Sequence, residues 1–325
     1  MPNINDIAKK TGFSKSTISR YLNNGSVSKK TKEKIKKAID ELGYVPNKYA
    51  QSLKSSSTKT IGVVIPNFIG YTKNIALDAI NSYLLASEYS MIISCSDDKV
   101  DEEIKILNNM IKLNVDGIIF FASKITKAHR EVFRNIDIPL IIYGQQVRGM
   151  YSVGSNDLMA GKLMGSYIKT LNHKEITFLD IGSYDKAVTK RFKGMKSILD
   201  HENIKINHHI VNFKKERAYD KVLEVYEKEN STFYLGATDN IAFGIINALH
   251  NLNVDIPGQV SVAGFGDYEI SNIVNPSLTT VNFSYEDSGL KAIKYLLDLI
   301  NKKEVAKETL LDCKLIVRDS TGRVK

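Results

Sequence analysis

Cysteine is scarce in this chain of 325 residues, and its scarcity excludes two kinds of protein. The two cysteines, Cys95 and Cys313, both lie inside apolar runs that are typical of β-strands. Two cysteines placed in this way cannot form the disulfide framework of a small secreted domain, and they lack the pairing of a zinc motif. We therefore interpret both as small core residues.

Long apolar runs are also absent. No stretch of about 18 or more apolar residues occurs, so the sequence predicts no transmembrane helix. Residues 1–6 have neither the basic segment nor the apolar segment of a secretory signal. On these grounds we expect a cytoplasmic protein.

The sequence signatures of common enzyme classes are missing as well. The six histidines are scattered, and no HExxH, G-x-S-x-G or P-loop motif occurs. Nothing in the sequence places a nucleophile beside a base. We predict that the chain is not an enzyme and that it needs neither a cofactor nor a metal ion.

The excess of positive over negative charge is confined to the first fifth of the chain. Residues 1–60 hold 13 lysines and arginines against 4 acidic residues, whereas the other 265 residues hold 32 of each sign. A basic region beside a neutral one is typical of a protein that binds nucleic acid. The alternative is a solubilising, lysine-rich tail, but a disordered tail would lack the helical periodicity described next.

Three short helices are predicted within the first 45 residues. The first covers residues 4–10 and ends at Gly12; the second runs from Lys15 to Leu22 with Ser14 as its N-cap; the third runs from Thr31 to Leu42. Two helices joined by a three-residue turn with glycine have the geometry of a helix-turn-helix motif.

The second helix carries the side chains that suit DNA. Its apolar face is formed by Ile18 and Leu22, and the opposite face offers lysine, arginine, serine and asparagine. Long cations can reach guanine O6 and N7, while short hydroxyls and amides suit phosphate oxygens. The alternative is a small helical hairpin whose polar face is merely solvated.

From residue 60 onward, apolar β-branched runs alternate with amphipathic helical stretches. Ten strands are predicted from the runs "TIGVVIP", "MIISCS", "GIIFFAS", "LIIYG", "EITFLDIG", "HHIVNF", "TFYLGAT", "SVAGFGD", "LTTVNF" and "KLIVRDS". Helices are predicted near residues 73–88, 99–114, 157–171, 186–202, 216–228, 240–252 and 285–302. This alternation predicts an α/β fold of parallel sheets covered by helices, divided into two subdomains with a cleft between them.

The motifs together resemble the LacI/GalR family of transcription regulators. The N-terminal stretches "DIAKKTGFSKSTISRYLNN" and "VSKKTKEKIKKAIDELGYVPNKYAQSL" resemble the DNA-binding headpiece of the family. The resemblance continues in "ATDNIAFGIINAL", "VSVAGFGDYEISNIVNPSLTTV" and "LIVRDST", and so covers nearly the whole chain. Within the family, the second of these three stretches is most similar to repressors of sucrose operons.

The resemblance implies a role in DNA binding for each matching residue. Base-reading positions are Lys15, Ser16 and Arg20. Phosphate contacts match Ser14, Thr17, Ser19, Asn23, Thr31 and Tyr44. A hinge helix near residues 46–54 would place Asn47, Ala50, Gln51 and Leu53 at the minor groove, where the leucine opens a base step. That short helix is marginal alone, so we expect it to form when two copies meet on DNA.

The resemblance also implies an effector cleft in a core like that of periplasmic binding proteins. The residues that match or suit it are Arg191, Asp239, Asp267, Tyr71 and Gln145. Each has a simpler alternative: a surface arginine, a helix-capping aspartate or an ordinary loop residue. Gly266 stands where many members carry an aspartate that binds a sugar hydroxyl, so the ligand geometry departs from theirs.

These observations predict a dimeric repressor of a carbohydrate-utilisation operon. Its partners would be a palindromic DNA operator and a small sugar or sugar-phosphate effector. The headpiece would occupy residues 1–58 and the core residues 59–325. One subdomain of the core would combine residues 59–156 and 285–312, and the other residues 157–284 and 313–325. The alternative function is that of a sugar-binding protein in a transport system, which shares the core.

Overall fold

The computed structural model describes residues 2–23, 25–44, 57–68, 70–122, 124–182 and 185–324. The first part of the chain forms three helices: α1 (Ile4–Thr11), α2 (Lys15–Leu22) and α3 (Lys29–Leu42). Gly12 ends α1 in the left-handed region, with φ of 73°, where glycine carries no steric penalty. The third helix begins two residues before the predicted Thr31 because Ser28 is its N-cap.

A small core holds the three helices together. Ile7, Ile18 and Ile35 are each 0% exposed, and Ala38 is buried beside them. One isoleucine comes from each helix, so no pair of helices can bury its apolar face without the third. The helix-turn-helix predicted from the sequence is confirmed.

The larger part of the chain contains a six-stranded parallel sheet in the order β11-β5-β4-β3-β1-β2. Its strands are β1 (Thr60–Ile65), β2 (Ser90–Cys95), β3 (Gly117–Phe121), β4 (Leu140–Tyr143), β5 (Tyr151–Ser155) and β11 (Glu308–Leu311). The helices of this part are α4 (Tyr71–Leu85), α5 (Val100–Lys112), α6 (Lys127–Arg134) and α11 (Tyr285–Ile300). We call this sheet and its helices the six-stranded half.

A second parallel sheet has the strand order β7-β6-β8-β9. Its strands are β6 (Glu175–Asp180), β7 (Lys205–Ile210), β8 (Phe233–Gly236) and β9 (Ser261–Ala263). The helices are α7 (Asp157–Thr170), α8 (Lys186–Leu199), α9 (Lys215–Val225) and α10 (Asp239–Asn251), with short 3-10 turns at Asp200–Glu202 and Glu269–Asn272. This is the four-stranded half, and the α/β fold with two parallel sheets is confirmed.

The chain passes three times between the two halves. It crosses after β5, again between β10 (Thr280–Asn282) and α11, and a third time between β11 and β12 (Lys314–Ile316). Strands β10 and β12 pair with each other antiparallel, which a prediction of parallel sheets did not include. Three connections between two separately packed halves are the kind of junction that serves as a hinge where domains close on a ligand.

Three elements were missed by the sequence reasoning. Strands β5 and β11 pair with each other at one edge of the large sheet, and α6 covers part of it. The strand expected at "HHIVNF" instead runs from Lys205 to Ile210. The edge strand β11 alternates less buried and exposed residues, and β5 carries serine and glycine, so neither has the continuous apolar run that identified the other strands. Within the described ranges, no helix has the length and apolarity required to cross a bilayer.

Candidate DNA interface and ligand cleft

Helix α2 presents a polar, cationic face to solvent. Lys15, Ser16 and Arg20 are exposed, whereas Ile18 on the opposite face is fully buried. Burial of Ile18 fixes the rotation of the helix, so the three predicted base-reading residues point away from the core together. A rigid helix with long cations on one face has the shape and chemistry that the major groove admits.

Of the residues predicted to contact phosphates, Ser14 and Thr17 lie at the start of α2, Asn23 at its end, and Thr31 in the first turn of α3. Ser14 Oγ accepts from Thr17 N at 3.2 Å, and Asn23 Nδ2 donates to Ser19 O at 2.8 Å. Thr31 N is capped by Ser28 at 3.2 Å. These bonds orient the hydroxyls and leave the first turns of both helices, where backbone N–H groups attract anions, at the surface.

Of the remaining residues in the predicted interface, the structure describes Tyr44 but not those of the hinge helix. Tyr44 follows α3 and packs partly buried against the headpiece core. The hinge-helix residues Asn47, Ala50, Gln51 and Leu53 lie outside the described residues, and their roles stay predictions.

Arg191 on α8 packs beside Phe283, where the chain crosses between the halves. Its Nε donates to Asp157 Oδ1 at 2.9 Å and its Nη1 to the carbonyl of Ala237 at 3.1 Å. The guanidinium lies 4.4 Å from the centroid of the Phe283 ring, a cation–π distance. Burial acts to lower the pKa of Arg191, but the surrounding groups, with Asp157 foremost, together outweigh it and raise the pKa, so the guanidinium stays protonated.

Helices α7 and α8 cross at glycine, and this crossing positions Arg191. A Cβ atom on Gly161 would lie 1.9 Å from the carbonyl oxygen of Arg191, and one on Gly194 would lie 2.1 Å from that of Leu158. Neither contact is possible for a larger residue. The backbone at Arg191 is therefore pressed directly against α7, which also supplies Asp157 from its first turn.

Asp239 is completely buried in the four-stranded half. Its oxygens accept from Thr280 Oγ1 at 2.6 Å, Ser271 Oγ at 2.7 Å and Tyr268 N at 3.0 Å. Burial raises the pKa of this carboxyl, and the three hydrogen bonds oppose the rise. Thr238, not Asp239, caps α10. Asp239 therefore holds the loop at residues 266–272 in place.

Asp267 lies on that same loop and pairs with the end of the chain. Its Oδ1 accepts from Arg318 Nη2 at 2.6 Å and its Oδ2 from Asn282 Nδ2 at 2.8 Å. Residue Asp267 has φ of 51°, in the left-handed region that aspartate tolerates better than most residues. The carboxylate thus links the loop to the hinge strands β10 and β12.

Tyr71 and Gln145 come from the six-stranded half. Tyr71 begins α4, and its ring centroid lies 5.3 Å from that of Tyr268 in the other half. Gln145 Nε2 donates to the carbonyl of Ala122 at 3.0 Å, a bond within its own half. The structure thus brings Tyr71 to the four-stranded half, whereas the bond from Gln145 to Ala122 connects two neighbouring loops.

Three further tyrosines of the cleft were missed by the sequence reasoning. Tyr143 bonds through its hydroxyl to Ser288, and the charge of Arg191 acts on the phenols of both Tyr268 and Tyr285. Tyr143 ends β4, and Tyr268 and Tyr285 lie a few residues beyond β9 and β10, so nearness to a strand end was the available signal. In the described part of the chain, no group of three or more metal-ligating side chains is arranged to hold a metal ion.

Comparison with known proteins finds a family match for the N-terminal helices and another for the larger α/β part. Residues 3–47 match the model of bacterial regulatory proteins of the lacI family, and residues 166–321 match that of a periplasmic binding protein-like domain. The sucrose operon repressor of Staphylococcus xylosus is 33% identical over 317 residues, covering 96% of this chain and 98% of the relative. The chain belongs to the LacI family.

Solved structures agree with this family assignment. A LacI family transcriptional regulator from Silicibacter pomeroyi matches with a TM-score of 0.86 and 26% identity, covering 99% of this chain and all of the other. The lac repressor dimer, bound to operator and the anti-inducer ONPF, matches at 0.91 with 24% identity and 99% coverage of both chains. At this identity, the likeness to the lac repressor shows a shared fold and nothing more. This LacI-family protein is a DNA-binding transcriptional regulator, as the sequence predicted.

Proposed function

We propose that this regulator is a cytoplasmic, dimeric repressor of a carbohydrate-utilisation operon, released from or locked onto its operator by a small sugar. The observation that carries the proposal is the pairing of a basic recognition helix with a cleft built around Arg191 and several aromatic rings. Aromatic faces and planar hydrogen-bond donors are the groups that recognise sugar rings. The similar sucrose operon repressor supports a carbohydrate effector.

The proposal divides the chain as the sequence predicted. Residues 1–58 would bind DNA and residues 59–325 would bind effector and dimerise, with subdomains of residues 59–156 with 285–312 and 157–284 with 313–325. The three crossings after β5, β10 and β11 support these boundaries. A two-fold dimer fits a palindromic operator because each recognition helix then meets an identical half-site.

The competing function is that of a sugar-binding protein in a transport system. The basic headpiece disfavours it, since such a protein has no use for a cationic helix-turn-helix. Binding to a random DNA duplex separates the two: the regulator should bind at low salt and weaken steeply as salt is added. Absence of salt-dependent DNA binding would count against the whole proposal.

Arg20→Ala is expected to weaken binding to the operator by about 1–3 kcal/mol and binding to random DNA much less. The reason is that Arg20 is exposed on α2 where it can reach a base edge. The operator can first be selected from a pool of random duplexes with the wild-type protein, and affinities then measured by fluorescence anisotropy. Lys34→Ala, which removes one exposed charge from α3, is the control. Equal losses on both duplexes for Arg20→Ala would show that Arg20 contacts only phosphate.

Arg191→Lys is expected to keep operator binding near wild type while abolishing the response to effector. A lysine retains the positive charge beside Asp157 but not the planar fork that can hold both a carboxylate and a ligand hydroxyl. Simple removal of the side chain is a poorer test, since it would leave Asp157 buried without its partner. The measurement is operator affinity with and without sugar. Arg217→Lys, on the exposed face of α9, is the control, and a normal response in Arg191→Lys would remove Arg191 from the effector site.

A further inference from the structure

Gly266 makes room for the ring of Tyr268. Its φ is 145°, a conformation that side chains other than glycine rarely adopt, and a Cβ atom there would lie 2.4 Å from Tyr268 Cε1 and 2.8 Å from Cδ1. The space that any side chain at position 266 would occupy is thus filled by the aromatic ring two residues later. Glycine at 266 and tyrosine at 268 form one structural unit.

The Tyr268 ring is held firmly in that space. Its backbone N donates to the buried Asp239 at 3.0 Å, and its ring meets those of Phe243 at 6.3 Å and Tyr71 at 5.3 Å between centroids. Tyr71 belongs to the six-stranded half and Phe243 to the four-stranded half. The Tyr268 ring therefore contacts both halves. A movement of one half against the other, or a ligand bound between them, would change these contacts.

The hydroxyl of Tyr268 has no hydrogen-bond partner among the residues that the structure describes. Burial raises the pKa of the phenol to about 12, and the nearby charge of Arg191 opposes the rise. The phenol of Tyr285, also beside Arg191, likewise lacks a described partner. Tyr268 and Tyr285 are both partly exposed, and both phenols lie near the charge of Arg191. A polar ligand between the halves would therefore meet two hydroxyls beside one guanidinium.

We propose that Tyr268 is a specificity-determining residue of the effector site, where its ring packs against the apolar face of a sugar ring and its hydroxyl bonds to a sugar hydroxyl. This assignment rests on the proposed function. The charge of Arg191 is already balanced by Asp157, so the groups around Tyr268 suit neutral hydroxyls. The group that is recognised is the sugar ring, whether the molecule that carries it is free or phosphorylated.

Calorimetric titration of the full chain tests the proposal, with sucrose, fructose, sucrose 6-phosphate and fructose 6-phosphate as ligands. Tyr268→Phe keeps the ring and removes the hydroxyl, and should weaken the bound sugar about 3–10-fold, the worth of one hydrogen bond. Gly266→Ala should weaken it at least as much because the new Cβ displaces the ring. If affinity falls by the same factor for a free sugar and for its phosphate, the lost contact is with the sugar ring.

Two matched controls separate this role from general damage. Tyr219→Phe makes the same change at a partly buried tyrosine of α9, and Gly149→Ala makes the same change at a glycine with φ of 87° and no neighbour within 4 Å. Both should bind sugar as wild type does. Melting temperatures near that of wild type for Tyr268→Phe show that the fold is intact.

The outcomes distinguish the two proposals. Wild-type affinity in both Tyr268→Phe and Gly266→Ala overturns the assignment of Tyr268 while leaving a sugar effector in place. If the variants bind only the phosphorylated sugars more weakly, the assignment is also overturned, because Tyr268 would then not recognise the sugar ring. If none of the four sugars binds the wild-type protein, sucrose, fructose and their phosphates are excluded as effectors, and the assignment of Tyr268 to a site for them is wrong. Because the chain has no tryptophan, tyrosine difference absorbance on sugar binding provides an independent readout that Tyr268→Phe should change.

Discussion

Asp157→Ala is expected to destabilise the core by about 3–5 kcal/mol, because removal of one partner leaves the other charge buried and unpaired. The side chains of Asp157 and Arg191 are only 8% and 11% exposed, so water cannot replace the lost carboxylate. For a unit of this size the melting temperature should fall by about 6–20 °C. Thermal unfolding followed by circular dichroism measures the effect.

Two comparisons sharpen this prediction. Asp97→Ala removes a carboxylate whose ion pair with Lys99 is exposed, and should leave the melting temperature close to that of wild type. Asp157→Asn keeps an acceptor for Arg191 Nε and should lie between the two. An Asp157→Ala protein as stable as Asp97→Ala would mean that Arg191 does not depend on this carboxylate.

Ile35→Ala is expected to unfold the headpiece and abolish DNA binding. Removing a fully buried isoleucine costs about 2–5 kcal/mol, and a domain this small has only a few kcal/mol of stability. The core is a separate cluster of buried residues and should still bind effector. Loss of affinity for operator and random DNA alike, with sugar binding unchanged, is the expected result.

The volume of the side chain, rather than its position alone, is the cause of this effect. Ile35→Val should cost about 0.5–1.5 kcal/mol and keep most of the DNA affinity. Lys34→Ala, one residue away on the exposed face of α3, should leave the headpiece folded. If Ile35→Ala binds DNA as Lys34→Ala does, the three-helix core is more robust than its few buried residues suggest.

The headpiece was predictable from the sequence because its determinants are local. Gly12 ends α1 and Ser14 begins α2 within three residues, and the spacing of Ile18 and Leu22 sets the exposed face. The excess of basic residues in the first 60 positions could also be counted and interpreted from the sequence alone. The start of α3 was misplaced by two residues because Ser28 had not been recognised as its cap.

The α/β alternation, the family and the basic recognition helix follow from the sequence alone, since each depends on neighbouring residues or on motif order. The contacts of the cleft residues depend instead on how the whole chain folds. Asp239 meets Thr280 across 41 positions, and Asp267 meets Arg318 across 51. The fit of Tyr268 against the backbone of Gly266 likewise depends on the path of the loop. Residues so far apart along the chain come into contact only when it folds, so a local sequence pattern cannot predict the contact.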